Sequence, residues 1–187
     1  MNNITEFTYE TTYNQKAMNT MARALRKTVR KKHSRRSHIF GWIITVFAVL
    51  LILPIGERNF ILDFQTVLTL IAVLVIVVTL LLEDQINGYI ARKRMLPGTA
   101  FALCTFGEDD YVSETKAGKT EWKYENIETI AETKNYFVFL FGKNHAQVYD
   151  KSSLQGGSIE EFRTFLVKKT EKEIWSVKWF LLKGVSE

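Results

Sequence analysis

Cysteine occurs once in this 187-residue chain, at Cys104. A single thiol excludes an internal disulfide framework and a thiolate zinc cluster. On a strand it reads as a small buried hydrophobe rather than a nucleophile. Two prolines and ten glycines exclude Pro-rich or Gly-rich low-complexity sequence. His145 has no second histidine or cysteine near it, so the pattern offers no metal ligand set. Gly156–Gly157 lacks the lysine and the spacing of a phosphate-binding loop, and Ser152 and Ser153 have no base partner in the pattern. The chain therefore reads as a non-enzyme with no cofactor and no metal. Acidic residues are scarce in one region. Residues 1–38 hold nine Lys and Arg but only Glu6 and Glu10, a net +7, against +5 for the whole chain.

Polar residues are scarce in two runs, 39–55 and 60–82. A membrane span needs roughly 20 apolar residues. The first run carries no charge and the second only Asp63, near its start and read as solvated or paired with Arg58. Residues 56–59 (GERN) join them, with Pro54 and Gly56 placed to break a helix. The reading is a two-helix transmembrane hairpin. Arg30, Lys31, Lys32, Arg35 and Arg36 precede it, Arg92, Lys93 and Arg94 follow it, and the loop holds only Arg58. The positive-inside rule then puts both flanks in the cytoplasm, giving a multi-pass inner (cytoplasmic) membrane protein with both termini cytoplasmic.

Residues 13–38 read as a basic juxtamembrane helix, with Tyr13, Ala17, Met18, Met21, Leu25 and Val29 on one face. It is either an anchor running on into the membrane helix or a helix lying on the anionic leaflet. Arg23, Lys27, Arg30, Lys31, Arg35, Arg36, Arg92, Lys93 and Arg94 are the candidate lipid-headgroup contacts. No aromatic stacking platform is interleaved with them, so no nucleic-acid partner is expected.

Residues 83–98 read as a cytoplasmic extension of the second span, stopped by Pro97–Gly98. From residue 99 the period becomes two. Strands are expected over 99–106, 111–116, 119–124, 126–134, 136–142 and 145–149. Ser158 with Glu161 suggests a capping box opening a helix over 159–173. Residues 4–12 offer one more strand, expected to join this sheet, so that the hairpin is an insertion in one α+β domain. Residues 174–187 form an aromatic tail. A helical reading puts Trp175, Trp179 and Leu182 on one face, docked on the bilayer or packed on the domain. Lys151, after the last strand of the run, is a candidate partner or anion contact.

The stretch from Trp122 to Lys151 carries a resemblance. Trp122 precedes YENIETIAET, the aromatic strand YFVFLF follows, and a short strand ends in YDKSSL. With Trp122, Ile127, Glu132, Thr133 and Lys151 matching and Asp150 standing where proline is usual, the chain resembles the YcxB-like family of small bacterial membrane proteins. The resemblance implies a pleckstrin-homology-like antiparallel β-roll over 99–173 closed by a C-terminal helix, and no activity. The expected function is that of a non-enzymatic bacterial inner-membrane protein. Its cytoplasmic module would act by protein or lipid-headgroup contact, in a regulatory or immunity-type role. Its partners would be the bilayer and a protein partner or a second copy. The alternative is a structural or accessory subunit of a larger membrane or transport complex.

Overall fold

The computed structural model describes residues 7–53 and 62–177. The start of the expected first strand, the 56–59 loop and the tail beyond Val177 lie outside the described residues. Strand β1, Phe7–Thr12, alternates Phe7, Tyr9 and Thr11 inward. Asn14 then caps α1, Gln15–Lys27, by accepting from the Ala17 N–H at 2.9 Å. Helix α2, Lys31–Ile52, and α3, Phe64–Leu81, are the two long apolar helices. At 1.5 Å per residue they are about 33 and 27 Å long. Asp63 is the N-cap of α3, accepting from the Thr66 N–H at 2.8 Å. Helix α4, Glu83–Lys93, lies along α1. Gly88 permits that approach, because a Cβ there would lie 2.9 Å from the Asn19 Cα.

Among the described residues, eight strands make two four-stranded sheets. The first has the order β1-β2-β3-β4, with β2 Phe101–Phe106, β3 Asp110–Thr115 and β4 Gly118–Lys123. The N-terminal strand pairs antiparallel with β2 from Phe7↔Phe106 to Thr12↔Phe101, so α1–α4 are carried between two neighbouring strands. The second has the order β7-β6-β5-β8, with β5 Thr129–Glu132, β6 Tyr136–Leu140, β7 Ala146–Asp150 and β8 Ile174–Ser176. The sheets face each other over one aromatic core. Tyr9, Phe106 and Tyr111 of the first meet Phe137, Phe139 and Tyr149 of the second. Helix α5, Ile159–Thr170, closes the core with Phe162 and Leu166, and both bonds of the Ser158–Glu161 capping box form.

The structure departs from the sequence expectations in four places. The basic helix is broken at Thr28–Arg30 into α1 and the root of α2. The Thr28 hydroxyl donates to the Ala24 carbonyl at 2.6 Å, and two β-branched residues in a row weaken the helix there. The apolar face of α1 meets protein rather than lipid. Ala17, Ala24 and Leu25 pack on Ala131, Val138, Leu140 and Val148, the outer side of the second sheet. That sheet is therefore covered on both faces, and all five residues of β6 are buried. The single antiparallel meander is replaced by two sheets, with β8 parallel to β5. Finally, α5 ends at Thr170, where Glu171 turns left-handed at φ 56°. Ile174–Ser176 is thus a strand, and neither the 159–173 helix nor the helical tail extends into it.

Candidate functional site: a basic groove at the root of the hairpin

Among the described residues, three charged clusters bear on the expected contacts. The first joins α1, α2 and α4. Asp84, 5% exposed, accepts from Arg23 Nε at 2.9 Å, from Arg26 Nε at 2.6 Å and from Arg26 Nη2 at 2.7 Å. Burial alone would raise its pKa. The hydrogen bonds from Arg26 and Arg23 outweigh that and hold the carboxyl below its ordinary value. The neighbouring Glu83 accepts from the Ser34 hydroxyl at 3.2 Å and hydrogen-bonds with His38 Nε2 at 2.6 Å. Residues of α2 and α4 on either side of the hairpin are thereby fastened to each other and to the helix that lies on the sheet.

The second cluster lies where β5 and β7 end, beside α5. Lys151 Nζ donates to Glu132 Oε1 at 2.5 Å and to the Thr133 carbonyl at 2.8 Å, beneath the face of Phe137. Arg163 of α5 completes it, with Nη2 at 2.7 Å from Glu132 Oε1 and Nε at 3.1 Å from Oε2. Burial pushes the Glu132 pKa up, and the bonds from Arg163 and Lys151 pull it down further than that. The structure places Lys151, expected to meet an anion or a partner, in an ion pair within the chain; with Arg163 on the same carboxylate this ties α5 to β5, and Lys151 also lines a hollow with Lys16, Arg23 and Lys134.

The third cluster is a groove of about 790 Å³ at the break between α1 and α2. Arg30, Lys31, Lys32, His33, Arg36 and Lys143 line it together with Thr28, Val29 and Asn144, and no carboxylate is among its lining residues. Arg30 fixes its geometry. Its Nε donates to the Lys143 carbonyl at 2.6 Å and its Nη2 to Asn144 Oδ1 at 2.9 Å. The β6–β7 turn is thus held against the root of α2. Gly142, at φ 134°, supplies the backbone conformation that this turn requires.

The nine expected headgroup contacts therefore separate. Arg30, Lys31 and Arg36 come together in the groove. Arg35 is exposed on the same turns of α2 but is not among the lining residues. Arg23 is bonded to Asp84, and Lys27 lies beside Trp175 in a neighbouring hollow. Arg92, Lys93 and Arg94 stand at the far end of α4, an 11-residue helix and so about 16 Å from its start. Lys143 could not be found from the sequence, because only the fold brings residue 143 to residue 30. Lys32 and His33 carried a signal in lying within the basic run.

The family model described as YcxB-like protein matches residues 106–166, from the end of β2 into α5. Over that segment the chain is similar to that family; the match includes neither β1 nor the two apolar helices. Comparison with curated proteins and with solved structures finds no match.

Proposed function

We propose that this YcxB-like chain is a non-enzymatic, membrane-anchored binding module. Helices α2 and α3 cross the bilayer as a hairpin, and the two sheets sit on its cytoplasmic side. One observation carries the reading. The apolar helices are long enough to cross a membrane, and almost none of their residues is buried in the fold. Leu51 is 83% exposed and Phe64 82%. A soluble protein does not leave two such helices bare. Lys and Arg gather at the end of the hairpin joined to the sheets, against the single Arg58 of the loop in the sequence, which is the positive-inside arrangement. The module is read as a pleckstrin-homology-like roll. Its support is a four-stranded meander, β1–β4, facing the meander β5–β7, with α5 closing one end. Its work is contact, with headgroups or with a protein.

The test is labelling with a membrane-impermeant thiol reagent in intact cells. Asn59→Cys is expected to react and Ser153→Cys to react only after permeabilisation, with Cys104, which is buried, as a silent background. Labelling of Ser153→Cys from outside overturns the topology. Release of the chain by alkaline carbonate overturns the anchoring.

A further inference from the structure

We infer that the groove between the root of α2 and the β6–β7 turn binds the phosphodiester of an anionic lipid headgroup and so seats the module on the bilayer. The inference rests on the membrane-anchored reading above and names the ligand of one site within it.

Four observations converge on the groove. Its charge has one sign: four Lys and Arg from the start of α2 and its N-cap meet a fifth, Lys143, from another part of the chain. Like charges brought together without a carboxylate repel one another, and an anion placed among them removes that cost. The groove is also built rather than accidental, since Arg30 spends its guanidinium on the Lys143 carbonyl and Asn144 and so keeps the turn in place. The start of α2 adds to the same field. It has no side-chain cap and no acidic residue in its first turn, which instead carries Lys31 and Lys32. Cations there oppose the helix dipole, whereas an anion suits it.

Depth is the fourth observation, and it selects the source of the phosphate. The uninterrupted apolar stretch of α2 begins at Ile39. At 1.5 Å per residue, Arg36 lies about 4.5 Å and Lys32 about 10 Å below it along the axis. The headgroup zone is about 5–8 Å deep on each side, and lysine reaches back toward it through its long stem. A lipid phosphate therefore lies at the level of Arg36 and within reach of Lys32. Arg92, Lys93 and Arg94, a full α4 away, do not share that level.

The test uses the full chain in mild detergent, with retained lipid counted by native mass spectrometry after adding phosphatidylglycerol, phosphatidylcholine or inorganic phosphate. Phosphatidylglycerol is expected to be retained at least ten-fold over phosphatidylcholine. The triple variant Lys31→Gln/Lys32→Gln/Arg36→Gln and the single variant Lys143→Glu are each expected to lose at least five-fold of that preference. A control, Lys116→Gln/Lys119→Gln on the β3–β4 hairpin, is expected to keep it. Equal retention of the two lipids, an equal loss in the control, or an unchanged Lys143→Glu overturns the inference. Inorganic phosphate displacing phosphatidylglycerol at equal concentration overturns the lipid as source. Should the triple variant fail to fold, Lys143→Glu decides, because only its exposed side chain changes and the carbonyl that holds Arg30 remains. A chain that carbonate releases fails the anchoring reading itself. A chain that stays in the membrane without the lipid preference fails only the groove.

Discussion

Asp84 is the second residue of α4 and accepts from two arginines of α1, so it is one of the links between hairpin and module. Asp84→Ala leaves Arg23 and Arg26 facing each other in a partly buried site. It is expected to destabilise the chain by about 3 kcal/mol, the low end of the range for a broken buried pair because Arg26 retains some exposure. The check is thermal melting in detergent. The pH dependence has a definite sign. A carboxyl whose folded pKa lies below its unfolded value, about 3.9, contributes stability that is fully present above that value. The contribution is lost as the pH falls through the folded pKa. Glu132 adds in the same direction. Stability is therefore expected to fall below about pH 4, and the fall to be shallower in Asp84→Ala; an identical acid limb in the variant would remove Asp84 from this account. This pairing was not legible in the sequence. Charge patterning along one helix reveals partners three or four residues apart, whereas Asp84 and its arginines are about sixty residues apart in the chain.

Among the elements, α5 was the most legible and α1 the least. The Ser158–Glu161 box is a local signal and formed as local signals do. Ser158→Ala is expected to cost about 1 kcal/mol, measurable as a lowered melting temperature with unchanged lipid retention. For α1, the face was readable but its occupant was not. An apolar stripe opposite a basic one describes a helix on a membrane as well as a helix on a sheet. The deciding information lay elsewhere, in YFVFL of β6. A strand with one wet face alternates, and a run without polar interruption needs cover on both sides. Gly88→Ala tests the packing of α1 on α4. The added methyl meets the Asn19 backbone, and overpacking of this kind costs about 1–3 kcal/mol. An unchanged melting temperature would mean the two helices part easily. The end of α5 had no comparable signal. Glu171 adopts a left-handed turn that glycine would have announced.

For the whole molecule, the two apolar runs and the change to period two after residue 99 disclosed the α+β class. Composition does that work because a long apolar helix and an alternating strand obey different periods. The division into two sheets was hidden, since sheet membership depends on pairing between distant segments. The partnership of β1 with β2 makes a further expectation concrete. Removing residues 1–12 strips Phe7 and Tyr9 from the aromatic core and uncovers one side of β2. The truncated chain is expected to lose cooperative melting of the module while the apolar helices keep their helical circular dichroism. A module that melts as before would show β1 to be dispensable.

The placement of β1 also has a consequence for synthesis. The strand leaves the ribosome well before its hydrogen-bonding partner, Phe101–Phe106, which follows only after residues 13–100 have been made. Until then Phe7 and Tyr9 have no sheet to join. On the proposed topology, both apolar helices have already been handed to the insertion machinery by the time β2 appears. Closure of the first sheet then comes after commitment to the bilayer. On that topology the order of translation sets membrane entry ahead of the finished module. Until β2 arrives, the chain carries an orphan strand and an incomplete core, the features by which quality-control proteases select their substrates.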